Sequence, residues 1–184
     1  TIYILKPYKL KYSHFFMNFQ FYFEKLIESK DFKKFINENK DAFFCSAFFI
    51  VDTKVNDNKQ NIDYYVPSTN KMYGFKIDNK VEMIPIENFG ENFIPTKIPD
   101  NINFDFDEII DMVQDKMEKE KIKNKIEKLL LSVQAKDKKN YILGTIFISS
   151  LGILKVRIDL DEKKIIDFEK KSFFDMMKIV KKGE

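Results

Sequence analysis

Two stretches of the chain follow the same pattern, and this internal likeness constrains the fold more than any other feature. Residues 72–84 read MYGFKIDNKVEMI, and residues 153–166 read ILKVRIDLDEKKII. In each stretch apolar and polar residues alternate up to an aspartate, a short polar segment follows, and a second apolar run begins. Alternation with a period of two is typical of a strand with one buried face, so each stretch predicts a β-hairpin.

The likeness extends to earlier segments of the two halves. The matching pairs are FEKLIES (23–29) with FDEIIDM (106–112), AFFCSAFFIVD (42–52) with EKLLLSVQAKD (127–137), and YGFKID (73–78) with LKVRID (154–159). The offsets of these pairs are 83, 85 and 81 residues, and differences in loop length would produce such a spread. The chain is therefore predicted to be a degenerate duplication, in which each half is a helix followed by a three- or four-stranded antiparallel meander.

This pattern predicts an α+β fold of two helix-plus-antiparallel-meander (αβββ) repeats, with the helices packed on one face of curled sheets. Residues 17–88 form the predicted first repeat, and residues 104–184 form the second. Between them, residues 89–103 are predicted to be a linker because they contain two prolines, a glycine and several asparagines. Ser29 and Asp105 are the predicted N-caps of helices, since each directly precedes a helical apolar pattern.

Residues 1–16 differ from the rest of the chain. They contain three lysines and no acidic residue, and they end directly before Met17. Two interpretations stay open: a genuine N-terminal strand or basic leader, and translated sequence upstream of the true start. As a signal peptide the segment is poor, because lysines interrupt its apolar region.

Composition excludes several classes of protein. The formal net charge of +3 disappears without the three lysines of residues 1–16, and Arg157 is the single arginine, so nucleic-acid binding is not expected. One cysteine, Cys45, excludes an intramolecular disulfide and is compatible with a reducing cytoplasm, the predicted location. No apolar run has the length of a transmembrane helix.

The sequence offers little for catalysis or for a cofactor. Its single histidine, His14, lies in the doubtful leader, and Cys45 lies in an apolar strand where burial keeps a thiol inert. The acids of DFDEIID (105–111) and DLDE (159–162) lack the glycine and the spacing of a calcium loop. We therefore expect no cofactor, no metal and no enzymatic activity. The alternative is a carboxylate-based hydrolase or small-ligand binder with a site between the repeats.

One difference between the repeats predicts a contact surface. In the second repeat, Leu129, Leu131, Val133 and Ala135 alternate with Lys128, Leu130, Ser132, Gln134 and Lys136, as expected for a strand with a core face and a solvent face. In the first repeat, the face interpreted as the outer one is entirely apolar. Its residues, the candidate protein-contact surface, are Phe43, Cys45, Ala47, Phe49 and Val51.

Such a surface must be covered, and three covers stay open. The first is intramolecular, by the N-terminal segment or by the tail Phe173 to Val180. The second is a homodimer or a partner protein, and the third is a small apolar ligand.

Two segments carry a resemblance to a known family. ESKDFKKFINENKDAFF (28–44) and TIFISSLGILKVRIDLDEKKII (145–166) resemble PepSY-like domains, in particular an uncharacterised family common in small-genome archaea. The resemblance extends over most of the chain from Met17, although the turn at 161–164 lacks the glycine usual in that hairpin. It implies a cystatin-like fold and a role in binding or restraining other proteins, notably peptidases. The predicted function is thus a non-catalytic protein-binding or regulatory module.

Overall fold

The structure, a computed structural model, describes residues 18–55, 57–86 and 94–172. The first half contains α1 (Phe19–Glu28), α2 (Lys30–Glu38), β1 (Phe43–Asp52), β2 (Lys59–Val66), β3 (Lys71–Ile77) and β4 (Val81–Ile86). The second half contains α3 (Phe106–Lys119), β5 (Ile126–Lys136), β6 (Lys139–Ile148), β7 (Gly152–Asp159) and β8 (Lys164–Ser172). The predictions for residues 1–16 and for the tail 173–180 lie outside the described residues.

The helices begin and end where polar side chains satisfy free backbone groups. Ser29 ends α1 in an extended conformation, and its hydroxyl accepts the Phe32 N–H at the start of α2 at 3.2 Å. Asp105 accepts the Asp107 N–H at 2.7 Å and so caps α3. These contacts confirm the predicted caps at both positions.

All eight described strands form one antiparallel sheet in the order β4-β3-β2-β1-β5-β6-β7-β8. Each half contributes four consecutive strands, and the first strand of each half, β1 and β5, pair at the centre. The expected α+β class with an antiparallel sheet is confirmed. Among the described helices, none is both long enough and apolar enough to cross a membrane.

One side of the sheet carries the hydrophobic core, which is aromatic in the first half and aliphatic in the second. Phe32 of α2 lies 4.9 Å from Tyr64 and 5.2 Å from Phe75, measured between ring centroids. The corresponding part of the core in the second half consists of aliphatic residues of β5, β6, β7 and α3. They include Leu129, Leu131, Val133, Ile142, Ile146, Leu154, Val156 and Ile158 of the strands, and Ile109, Ile110, Val113 and Met117 of the helix.

Residues 94–104 form no helix or strand, yet part of this segment is buried. Ile98, Ile102 and Phe104 belong to the core. The Ile98 N–H donates to the carbonyl oxygen of Phe44 at 2.8 Å, beside the part of β1 that β5 does not reach. The segment therefore completes both the core and the backbone hydrogen bonding of β1.

Candidate interaction surface on the outer face of the sheet

A β-bulge in β1 decides which of its side chains are buried. The pairing of β1 with β2 shifts between Phe44 and Ser46, so Cys45 is an extra residue without a partner opposite it. An extra residue interrupts the alternation of side chains between the two faces of a strand. Phe43 and Cys45 consequently lie in a small cluster with Tyr65 and Met72, apart from the main core.

The other three residues of the predicted contact surface belong to the main core. Ala47, Phe49 and Val51 are at most 3% exposed, and they lie opposite Val133, Leu131 and Leu129 of β5. The prediction that Phe43, Cys45, Ala47, Phe49 and Val51 share one outer face is therefore wrong. The error arises because the bulge shifts the alternation of β1 side chains between the two faces. A prediction that assumes a strict period of two cannot include such a shift.

Side chains from elsewhere in the chain cover the buried part of that predicted surface. The Phe49 ring lies 6.1 Å from the rings of Phe19 and Tyr22 in α1 and 5.0 Å from the ring of Phe106, between centroids. Aromatic rings at such distances stabilise one another beyond the area that they bury. The observed cover of Phe49 is therefore intramolecular.

The opposite side of β1 belongs to what we call the outer face, the side of the sheet that carries Phe48, Ile50, Leu130 and Leu143. Phe48 lies opposite Ser132 of β5, which in turn lies opposite Leu143 of β6. Phe48 and Leu143 are each 39% exposed, because the small serine between them covers neither side chain. Ile50 and Leu130, half-buried, face each other in the next row.

These four residues, the central patch, lie between basic side chains. Towards β4, Lys59 of β2 lies opposite Ile50, and Lys76 of β3 lies opposite Asn61, the β2 residue that faces Phe48. Towards β8, Lys155 and Arg157 of β7 follow in the same two rows. We call these four the basic rim. Arg157 pairs with Asp167, whereas Lys76 and Lys155 form no ion pair within the described part of the chain.

Two carboxylates on the outer face have opposite environments. Asp52, at the end of β1, accepts the N–H groups of Lys54 and Val55 at 2.9 Å each, and the Lys128 ammonium lies 2.8 Å from its Oδ2. The Lys128 ammonium, together with these N–H groups, lowers the pKa of Asp52 to about 2. The carboxyl group of Asp63 in β2 has no such cation beside it, and burial raises its pKa to about 6.

Cys45 has no feature of a reactive thiol. Its side chain is buried, and its Sγ donates to the Asp63 carbonyl oxygen at 3.4 Å. Burial, with a contribution from the neighbouring Asp63 charge, raises the pKa of the thiol to about 12. A thiol that stays protonated at neutral pH is a poor nucleophile.

A small cavity lies between residues 99–103 and the second half of the sheet. Its volume is about 280 Å³, and its lining residues are Pro99, Asn101, Ile102, Asn103, Asn140, Leu160 and Asp161. Asp161 contributes the one carboxylate, which accepts hydrogen bonds from the backbone and the side chain of Asn140 at 3.2 and 3.3 Å. Across residues 18–55, 57–86 and 94–172, no group of three or more His, Cys, Asp or Glu side chains could hold a metal ion.

Sequence reasoning missed Phe48 and Asp63. Phe48 lies within the continuous apolar run of β1, in which nothing distinguishes an exposed phenylalanine from a buried one. A signal for the outer face was present in the second half, where Lys128, Ser132 and Gln134 were correctly expected to face away from the core. Phe48 lies on the same face, opposite Ser132. Asp63 had a weaker signal, since an aspartate within an apolar strand is uncommon.

Comparison with known proteins defines the fold further. No protein-family model matches the chain, and no curated protein matches it. The chain is similar to the crystal structure of a "putative lipoprotein" from Clostridium difficile 630, with a TM-score of 0.53 and 12% sequence identity. The likeness covers 77% of this chain and 90% of that chain. At this identity it shows a shared fold and does not extend to function.

Proposed function

We propose that this protein is a non-catalytic, PepSY-like protein-binding module that binds its partner through the central patch. The observation that carries the proposal is the exposure of Phe48 and Leu143 across Ser132, at the junction of the two halves. Exposed apolar side chains that lie together on a regular sheet are typical of interaction sites. Single exposed apolar residues, such as Val55 in a loop, need no such explanation.

The surroundings of the patch indicate the chemistry of the partner. Lys76 and Lys155 flank the apolar centre on opposite sides. A partner with one or two apolar side chains between Asp or Glu residues would therefore match both the centre and the basic rim. A second copy of the chain, related by a twofold axis through the patch, would place lysines against lysines, which disfavours a homodimer through this face. A nucleic-acid partner is disfavoured because the single arginine is held by Asp167.

The arrangement of the strands supports the proposed duplication. Each half runs from helix to four-stranded meander, and the sheet order is symmetric about the β1–β5 pair. Contacts such as Phe19 with Phe44 and Phe106 with Phe49 support helices on one side of the sheet. We infer two fused αββββ units of the PepSY-like kind, one strand longer than the αβββ unit expected from the sequence. A cytoplasmic location remains part of the proposal.

Site-specific photocrosslinking tests the proposed surface. A photoreactive phenylalanine analogue replaces Phe48 in the source cells, and a matched control carries it at Phe21 of α1, which is 40% exposed. We expect one dominant crosslinked protein at position 48 that is absent at position 21. Its crosslinked segment should contain an apolar residue next to Asp or Glu, as the basic rim requires.

Two results would contradict the proposal. The first is that positions 48 and 21 give the same crosslinked products. The second is that position 48 crosslinks to another copy of this chain, which would make the outer face a homodimer interface. A further measurement checks that the contact extends across the patch. It compares binding of the purified partner to a Leu143→Asp variant and to Ile27→Asp, a control at an equally exposed residue.

The alternative is a small-ligand binder or hydrolase that uses the cavity beside residues 99–103. Its support is the cavity itself, which brings Asn101, Asn103 and Asp161 to one place between the connecting segment and the second half. A two-carboxylate hydrolysis would need a second acid there. Chemical-shift perturbation confined to Asn101, Asn140 and Asp161 on addition of a ligand library would favour this alternative over the central patch.

A further inference from the structure

Asp63 lies on an interior strand of the sheet, and only one of its two carboxyl oxygens accepts a hydrogen bond from the described residues. It lies in β2, opposite Ser46 of β1 on one side and Gly74 of β3 on the other. The Ser46 hydroxyl donates to Oδ2 at 2.6 Å. The other carboxyl oxygen, Oδ1, is fully buried and has no hydrogen-bond partner among residues 18–55, 57–86 and 94–172. A buried oxygen in this state strongly disfavours a full negative charge.

Gly74 makes room for this carboxyl group. A Cβ atom added to Gly74 would lie 3.1 Å from Asp63 Oδ1 and 3.1 Å from Cδ1 of Ile86 in β4. Both distances are shorter than ordinary van der Waals contacts, so a larger residue at position 74 would displace one of the two groups. The glycine therefore lets the carboxyl group occupy a space bordered by the Ile86 side chain.

The titratable and charged groups that face Asp63 do not offset the effect of its burial. From β1 and β2 these are the Cys45 thiol and the Tyr65 hydroxyl, and the latter donates to Asn70 at 2.7 Å. From β3 and β4 they are Lys76 and Glu82, which lie opposite each other one row away. Burial accordingly raises the pKa of Asp63 to about 6, while the Ser46 hydroxyl acts in the opposite direction. The protonated carboxyl fits this site better than the carboxylate does.

Strand β4 is the edge strand on the side of the sheet that contains Asp63. Among the described strands it lies at the edge of the sheet and pairs with β3 alone, whereas β1, β2 and β3 are each paired on both sides. Displacing the Ile86 end of β4 would let water reach Oδ1 at the loss of few hydrogen bonds. Edge strands open locally at a lower free energy than central strands.

We propose that Asp63 is a pH-sensitive latch on strand β4. When Asp63 is protonated, the Ile86 end of β4 stays packed over it, and when Asp63 ionises, that end separates from β3 and water hydrates the carboxylate. The latch is a property of the fold, so it does not depend on the identity of any partner. Between mildly acidic and neutral pH, the β4 edge of the outer face therefore changes from a closed state towards an open state.

Hydrogen exchange followed by NMR tests the latch. With a pKa near 6 in the closed state and near 4 in the open state, the open population should rise about tenfold from pH 5 to pH 7. The β4 amides of the wild type should show this rise after correction for the intrinsic pH dependence of exchange. In Asp63→Asn, which carries no titrating group, the change should be less than about twofold. Glu82→Gln removes an exposed carboxylate of the same strand and should behave as the wild type does.

A direct titration keeps the test independent of how the variants fold. The ¹³C shift of the Asp63 carboxyl group in the wild type should titrate with a midpoint near pH 6. A midpoint at or below about 4.5, close to the ordinary value of an aspartate, would overturn the proposal. So would equal pH dependence of β4 exchange in the wild type and Asp63→Asn.

Discussion

The two faces of strand β1 show how one apolar strand can serve both a core and an exposed surface. On the core side, Phe49 is 1% exposed and is surrounded by the rings of α1 and residues 104–106. On the outer face, the adjacent Phe48 is 39% exposed beside Ser132. The apolar composition of β1 therefore has two separate causes. Burial inside the protein accounts for one face, and the proposed partner would account for the other.

The largest effect is expected from breaking the core face. Phe49→Ala should lower the free energy of unfolding by about 3 to 5 kcal/mol, because it leaves a cavity among packed rings. Phe48→Ala, the matched variant on the outer face, should lower it by less than about 1 kcal/mol. Urea denaturation followed by circular dichroism measures both values. Similar losses for the two variants would show that the assignment of the faces is incorrect.

The second effect concerns the buried carboxyl of the outer face. Because the pKa of Asp63 is raised in the folded state, its ionisation destabilises the fold as pH rises from about 4 to 6. Asp63→Asn should therefore be more stable than the wild type at pH 7.5, by about 2 to 3 kcal/mol for two pKa units. At pH 4 the two proteins should be equally stable. A constant difference in unfolding free energy between pH 4 and 7.5 would contradict this explanation.

Asp52 should show the opposite pH dependence, with a smaller effect. Its pKa is lowered, so its contribution is present above about pH 4 and is lost as pH falls towards 2. Asp52→Asn can keep the two turn hydrogen bonds and loses only the charge pair with the half-exposed Lys128. It should lower the free energy of unfolding by about 1 kcal/mol. Asp52→Ala loses the turn bonds as well and should cost about 2 kcal/mol. Thermal unfolding at pH 7 should rank the three proteins in this order.

The sequence predicted the elements better than it predicted the surface. The break at Ser29, the cap at Asp105 and the antiparallel sheet follow from periodicity and local side-chain chemistry, which act over a few residues. The bulge at Cys45 could not be predicted in this way, because it depends on how β1 pairs with β2. Once it shifts the alternation, Ala47, Phe49 and Val51 face the core and Phe48 faces outward. The burial of Asp63 likewise depends on Gly74 and Ile86, which are distant in sequence.

The central claim is that the outer face, and not the exposed side of the helices, binds a partner protein. The most direct measurement is the dissociation constant of the partner captured at position 48, determined for Phe48→Asp and for Phe21→Asp. These residues are equally exposed phenylalanines on β1 and α1. We predict that Phe48→Asp weakens binding by at least about thirtyfold, which corresponds to about 2 kcal/mol, and that Phe21→Asp changes it by less than twofold. Equal dissociation constants for the two variants would contradict the claim.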